Sequence, residues 1–205
     1  MPQRGGRRGP PNRLTKLEIV SEEGQVKTDE LDAQAEATRR LALAQIRQYP
    51  DPVLRRGAQE VREFDDDLAQ LVERMKRLMQ DARGVGLAAN QVGVLRRVFV
   101  IQAAEDEEPR ALVNPVIVER SEETEPDDEG CLSMQGVVVG VERAVRVRID
   151  ARDENGEAVE LELEDLAARV AQHELDHLDG VLILDRTNDE DRREALAVLR
   201  QAAAL

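Results

Sequence analysis

Residues 172–180 have the sequence Gln-His-Glu-Leu-Asp-His-Leu-Asp-Gly, and they contain both histidines of this 205-residue chain. His173 and His177 are four positions apart, a spacing that puts two side chains on one face of an α-helix, where both imidazoles can bind one metal ion. Glu174 lies about a quarter-turn away, in the position of a general base rather than of a third ligand. The segment therefore predicts a helix that carries a metal centre.

The only cysteine of the sequence, Cys131, lies in residues 129–133, Glu-Gly-Cys-Leu-Ser. Taken alone, a lone cysteine is usually a small buried hydrophobic residue. Beside His173 and His177 it can supply a thiolate, and three protein ligands leave a fourth position open, as a catalytic site requires. The donor set suits Fe²⁺ or Zn²⁺ and does not decide between them. The alternative is an exposed polar helix whose two histidines have no function, but it leaves the extended motif and Cys131 unexplained.

Apolar side chains share the helical face of the two histidines. On a wheel of about 100° per residue, Leu166 and Val170 point in nearly the same direction as His173 and His177. An apolar wall beside the ion suits a substrate with a hydrophobic side chain.

Residues 84–93, Gly-Val-Gly-Leu-Ala-Ala-Asn-Gln-Val-Gly, form a small, glycine-rich segment. A phosphate-binding loop is a poor interpretation, because the segment lacks the Lys-Ser/Thr ending and follows a predicted helix instead of a strand. Small residues allow close approach of a ligand to the backbone, and the amide of Gln91 can donate a hydrogen bond to an oxyanion.

The composition restricts the classes of function. Hydrophobic residues make up 41% of the chain, but with one Tyr, two Phe and no Trp the core must consist of Leu, Val, Ile and Ala. A formal net charge of −14 argues against a general binder of nucleic acids or anionic membranes. We find neither an apolar run long enough to span a bilayer nor a signal-like segment. A thiolate reserved for a metal suits a reducing compartment, so we expect a soluble, cytoplasmic protein.

The N-terminal region differs from the rest of the chain. Residues 1–16 contain five basic residues and no acidic one, so the rest of the chain has a formal net charge of −19. We expect residues 1–42 to be an extension that is disordered over 1–16 and helical over about 28–44. An organellar transit peptide is a weaker alternative. The catalytic domain is predicted to comprise residues 43–205, with compact structure starting near Ile46.

Periodicity predicts the main elements of that domain. A helix should start at Asp65–Asp67 and stop at Gly84, residues 98–101 should form a buried strand, and 144–163 should form a hairpin around Asn155-Gly156. Further helices should start at Asp165 and near Asn188. We therefore predict an α+β fold, in which small antiparallel or mixed β-sheets pack around a central metal-binding helix, with a C-terminal helix.

Together, residues 84–91, 129–133 and 172–177 resemble the signature segments of the peptide deformylase family, in the same order. Similarity continues through residues 46–55 and the helix after Phe64, so that it covers about residues 43–190. The resemblance implies a hydrolase that removes the N-formyl group from the initiator methionine of new bacterial or organellar proteins. It implies one divalent ion, Fe²⁺ in most members with Zn²⁺ as the alternative, and N-formyl-methionyl peptides as substrates. We expect a monomer that does not bind nucleic acid or membranes stably, with the ribosome as a further partner.

The resemblance also implies roles for individual residues. Cys131, His173 and His177 would bind the ion and Glu174 would be the base, while Gln91 and the Leu132 backbone N–H would form an oxyanion hole. Gly86 would line the substrate backbone, and Glu129 with Arg143 would brace the site. The methionine side chain would be surrounded by apolar and ligand residues, namely Val85, Leu166, Val170 and His173.

Two positions depart from the family's usual pattern. Residues 134–136 are Met-Gln-Gly where a hydrophobic residue and proline are common, and Val138 replaces an arginine found in some members. This segment borders the peptide beyond methionine, so substrate affinity is the property it affects. Two alternatives are a zinc endopeptidase, which would need Glu190 or Glu194 as its third ligand, and an inactive ribosome-associated binding factor.

Overall fold

A computed structural model describes the backbone of residues 22–104 and 108–202. The chain divides into two compact units, Met1–Ala35 and Glu36–Leu205. The described part of the first unit is helical and belongs to helix α1 (Glu22–Leu43), which confirms the helix expected over 28–44. The predicted disorder of residues 1–16 lies outside the described residues, and a domain boundary at residue 43 stays a prediction.

The second unit combines helices with antiparallel sheets, as predicted for an α+β fold. Its helices are α2 (Asp66–Asp81), α3 (Asp165–Leu178) and α4 (Asp189–Ala202). Its strands are β1 (Gly86–Ala88), β2 (Val98–Ile101), β3 (Arg110–Arg120), β4 (Thr124–Gly130), β5 (Val138–Ala144), β6 (Arg146–Arg152) and β7 (Ala158–Glu164). One sheet has the order β1-β2-β3-β6-β7, and β4 pairs with β5 in a second sheet. All of these pairings are antiparallel, and α3 packs against β1 and β2.

Helix α2 starts as predicted but ends differently. The Asp65 side chain caps it by accepting a hydrogen bond from the Leu68 N–H at 2.9 Å. The predicted glycine stop at Gly84 is wrong by one position, because Arg83 adopts the left-handed conformation with φ of 57°. Gly84 follows it and has a packing role, since a Cβ there would lie 2.7 Å from Cδ1 of Leu132.

The predicted hairpin is confirmed as β6 and β7, with Ile149 opposite Leu161. Its turn contains Gly156 at φ of 88°, a conformation that favours glycine. The side chains of Val147 and Ile149 are buried in one cluster with Ala168 and Leu175 of α3. The hairpin therefore forms part of the surface on which the histidine-bearing helix packs.

The core consists mainly of Leu, Val, Ile and Ala, as the composition predicted, but it also contains Met75, Met79 and Met134, and Phe99 is its largest fully buried side chain. One cluster joins α2 to β1 and β2, a second joins α3 to the larger sheet, and a third joins β5 to residues 182–184 and α4. Ala42 and Leu43 are buried in the first cluster together with Ile46. Compact structure therefore starts four residues earlier than the predicted Ile46.

Candidate active site

The three predicted metal ligands come together from two elements. Cys131 directly follows β4, while His173 and His177 lie one turn apart on α3. Their ligand atoms all lie within 4.8 Å of one another, and the Cys131 Sγ to His177 Nε2 distance is 3.2 Å. A thiolate and two imidazoles at this separation fit a divalent transition metal with an open position.

A buried carboxylate orients the first histidine. Nδ1 of His173 lies 2.9 Å from Oε2 of Glu129, which directs the other ring nitrogen toward the cluster. Burial lowers the pKa of His173, but hydrogen bonds to Cys131 and Glu129 outweigh it and hold the pKa well above the usual value. Burial and the neighbouring His173 hold the pKa of His177 well below the usual value. His177 is therefore neutral, the form that binds a metal.

Glu129 belongs to a chain of buried ion pairs. Arg143 donates to both of its oxygens, at 2.9 and 3.0 Å, and to Asp176 at 2.6 Å. Arg186 and Arg169 extend the network, donating to Asp176 at 2.5 Å and to Glu129 at 2.9 Å respectively. Burial raises the pKa of Glu129, but the hydrogen bonds from His173 and Arg143 prevail and lower it to about 2. The carboxylate therefore remains charged and can orient His173.

Glu174 lies in a different environment on the same helix. It is 3% exposed, and its Oε2 is buried with no hydrogen-bond partner among the described residues. Burial raises its pKa to about 7. A Cβ at Gly86 would lie 2.4 Å from Glu174 Oε1, so the glycine makes room for this carboxyl group. A carboxyl group whose pKa lies near neutrality suits general acid–base chemistry.

Gln91 and Leu132, the two predicted oxyanion donors, line the same cavity as Cys131 and His173. Gln91 is fixed because its Oε1 accepts from the Ala88 N–H at 2.8 Å, while Nε2 donates to Ser133 at 3.1 Å and lies 3.7 Å from Cys131 Sγ. The peptide between Cys131 and Leu132 is fixed as well, since the Cys131 carbonyl accepts from the Met134 N–H at 2.9 Å. The N–H of that peptide is the backbone N–H of Leu132, which is predicted to donate a hydrogen bond to the oxyanion.

A cavity of about 390 Å³ joins these groups. Ten of the eleven predicted site residues line it, namely Val85, Gly86, Gln91, Glu129, Cys131, Leu132, Leu166, Val170, His173 and Glu174, whereas His177 does not. Val85 is 43% and Leu166 51% exposed, which leaves apolar surface at the mouth of the cavity. Of the departing positions, Met134, Gln135 and Gly136 line the cavity, Met134 being also buried in the third core cluster, and Val138 is 63% exposed.

Several residues that support the site were not identified from the sequence. Gln48 donates to the Leu132 carbonyl at 3.0 Å, and Asn90 donates to the His177 carbonyl at 2.5 Å. Asp176 joins Arg143 to Arg186. Asn90 and Asp176 lie in the segments 84–93 and 172–180, which marked them as residues near the site. Their hydrogen-bond partners could not be predicted, because these partners are distant in sequence.

The comparisons with known proteins agree with the geometry. The family model described as polypeptide deformylase matches residues 43–193. The chain belongs to the peptide deformylase family. A peptide deformylase of a Thermotoga species is 48% identical over 147 residues, which cover 72% of this chain and 88% of that protein. Peptide deformylase 1 of Corynebacterium glutamicum is 44% identical over 165 residues, which cover 80% of this chain and 98% of that protein.

Solved structures of the deformylase family share the fold. A peptide deformylase from Legionella pneumophila has a TM-score of 0.74 and 39% identity, with coverage of 78% of this chain and 94% of that chain. The resemblance over residues 43–190 and the assignment as a hydrolase are thereby confirmed. The alternative of an inactive ribosome-associated binding factor is therefore not supported. The endopeptidase lacks support too, because the described ligand cluster contains Cys131 and not Glu190 or Glu194. Among the described residues, no helix is long and apolar enough to cross a membrane.

Proposed function

We propose that this member of the deformylase family hydrolyses N-formyl-methionyl peptides with Glu174 as general base beside a Cys131–His173–His177 metal site. The products are formate and a free N-terminal amine. The observation that carries the proposal is the buried, unpartnered Oε2 of Glu174, which belongs to a residue lining the same cavity as Cys131 and His173.

The ligand residues fit the proposed ion. Cys131, His173 and His177 would hold Fe²⁺, with Zn²⁺ as the alternative, since thiolate and imidazole suit both. The bound ion supplies Lewis acidity toward the formyl oxygen and toward water. Glu129 and Arg143 keep His173 in the tautomer that binds through its other nitrogen.

Glu174 moves the proton in this scheme. Its carboxylate takes a proton from the attacking water as the oxygen bonds to the formyl carbon. When the carbon–nitrogen bond breaks, the same proton passes to the leaving amine. A pKa of about 7 allows both transfers near neutral pH, since neither form of the group is strongly favoured.

Gln91 and Leu132 act on the charge that develops on the formyl oxygen. Both donors are held before substrate arrives, Gln91 by Ala88 and Ser133, and the Leu132 N–H by the turn to Met134. Fixed donors stabilise an oxyanion without reorganisation during the reaction.

The apolar residues of the cavity would bind the methionine side chain. Val170 is buried against Gly86, where a Cβ would lie 2.8 Å from its Cγ1. Leu166 and Val85 extend this surface to the cavity mouth. The peptide backbone would pass along Gly86, which has no side chain to obstruct it.

Release of formate from formyl-Met-Ala-Ser, with protein purified without oxygen, tests the proposal. We expect stoichiometric formate and a new amine, with the Ala–Ser bond intact. Cleavage within the peptide and retention of the formyl group would contradict it and support the endopeptidase. A cytoplasmic location, a monomeric state and association with the ribosome remain predictions.

A further inference from the structure

The end of helix α1 contributes to the cavity that contains the catalytic groups. Arg39 and Leu43 line it together with Glu174 and Cys131, although the family model matches only from residue 43 onward. Leu43 is 5% exposed and packs into the first core cluster. Arg39 precedes it by four residues and so lies on the same helix face. The packing of Leu43 therefore directs Arg39 toward the cavity.

Arg83 supplies a second positive charge to the lining. It is exposed and directly precedes Gly84 and Val85, and no ion pair joins it to another described residue. Among the described residues Arg39 has only a distant ion-pair partner, Glu36 at 3.8 Å, with both side chains more than a third exposed. Such pairs contribute little and are easily exchanged. Both guanidinium groups are therefore available to a ligand.

The other charged side chains of the lining are placed differently. Arg169 is engaged, because it donates to Glu129 at 2.9 Å. Asp128 is exposed and lies on β4, next to Glu129. The cavity lining therefore contains two cations, Arg39 and Arg83, that form no close ion pair with another described residue, within a chain whose net charge is −14.

The wall formed by residues 83–86 runs outward from the catalytic groups. Gly86 is at the inner end, since a Cβ there would lie 2.4 Å from Glu174 Oε1, and Gly84 adjoins Leu132 farther along. β1 is an edge strand of its sheet, so an extended peptide can lie beside it. Residues 83–85 precede β1 and Arg83 is left-handed, so the three steps from Gly86 to Arg83 span at most about 10 Å, the length of three extended residues. A peptide whose formyl group is at Glu174 then brings its second or third residue within reach of the long Arg83 side chain, in the cavity that Arg39 also lines.

We propose that Arg39 and Arg83 form a cationic subsite that favours acidic side chains at the second or third position of the formylated peptide. The proposal rests on the proposed function and deepens it. It assigns a role in substrate choice to a residue of the N-terminal extension, and the preference is electrostatic, so added salt weakens it.

Three peptides test the subsite: formyl-Met-Glu-Glu-Ala amide, the Gln-Gln peptide and the Lys-Lys peptide. The terminal amide removes a carboxylate that would otherwise compete for the cations. At low ionic strength we expect kcat/KM to be about tenfold higher for the Glu peptide than for the Lys peptide, mainly through KM. In the variant Arg39→Gln/Arg83→Gln the ratio should fall to about twofold or less, whereas Arg39→Lys/Arg83→Lys should retain most of it.

Arg40→Gln is the matched control, because Arg40 is the exposed neighbour of Arg39 and does not line the cavity. The inference is overturned if the Glu-to-Lys ratio survives in the double Gln variant, or if Arg40→Gln lowers it equally. Equal formate release from all three peptides by the unmodified protein would overturn the subsite and leave the function intact. No formate from any peptide would overturn both.

Discussion

At the scale of single residues, two glutamates on neighbouring elements have opposite properties. Glu129 accepts hydrogen bonds from Arg143 and His173, which lower its pKa to about 2 against the effect of burial. Glu174 has no such partner, and burial raises its pKa to about 7. The first stays charged and orients a ligand, while the second can exchange a proton near neutral pH.

The low pKa of Glu129 predicts a dependence of stability on pH. Because the folded-state pKa lies below the ordinary 4.5, the charged group stabilises the protein above pH 4.5, and this contribution disappears as pH falls toward 2. The shift corresponds to about 3 kcal/mol in the free energy of unfolding. Urea unfolding of the metal-free protein gives the free energy of unfolding between pH 5 and 2.5. This free energy should fall less steeply with decreasing pH in Glu129→Gln than in the unmodified protein. The exposed Glu160→Gln is the control, and identical pH profiles for Glu129→Gln and the unmodified protein would contradict this account.

The thiol of Cys131 should respond to the metal. As a ligated thiolate it should resist alkylation in the metal-bound protein and react after chelation, when it is only partly buried. With Fe²⁺ bound, activity should decay in air as the ion or the thiolate is oxidised. Titration with an alkylating reagent before and after chelation makes the comparison. Equal reactivity in both states would exclude the three-ligand site.

At the scale of elements, α3 presents its ligands and its apolar residues on one side. Leu166 and Val170 line the cavity with His173, as the spacing of the helix predicted. α3 also packs on β1, β2 and the hairpin of β6 and β7, and Val170 belongs both to the cavity lining and to this core cluster. One helix therefore links the metal site to both the substrate cavity and the core.

This arrangement predicts selectivity for the first residue of the substrate. Replacing methionine by glycine removes two methylene groups, a sulfur atom and a methyl group from contact with Leu166 and Val170. The loss should be about 2 kcal/mol of binding, or some thirtyfold in catalytic efficiency. Formyl-Met and formyl-Gly peptides of otherwise identical sequence provide the measurement. Similar efficiencies on the two would show that these residues do not contact the substrate side chain.

Elements with local patterns could be predicted from the sequence, and those built by distant contacts could not. The starts of α2 and α3 and the hairpin around Asn155-Gly156 depend on caps, periodicity and turn chemistry. Strand β4, Thr-Glu-Pro-Asp-Asp-Glu-Gly, has no alternation of apolar residues and forms by pairing with β5. In the network from Glu129 to Arg186, the pair of Glu129 and Arg143 was predicted from the resemblance. The ion pair of Arg143 with Asp176 was not, because these residues are 33 positions apart in the sequence.

At the scale of the whole molecule, three core clusters hold the catalytic groups in place from separate parts of the chain. The first positions Gly86 and Gln91, the second positions the histidines, and the third supports the turn after Cys131 through Met134. Binding of one ion by Cys131, His173 and His177 would join parts of the chain that are more than forty residues apart. The reaction depends on that assembly and on the proton acceptor beside it.

The substitution Glu174→Gln tests this account most directly, because it keeps the shape of the side chain and all three ligands while removing the proton acceptor. Metal content and formate release from formyl-Met-Ala-Ser are measured together, with the exposed Glu164→Gln as the matched control beside the same helix. We expect unchanged metal content and a rate lower by two to four powers of ten, on the order typical of a general base. A metal-loaded Glu174→Gln protein that releases formate at close to the unmodified rate would contradict the proposed mechanism.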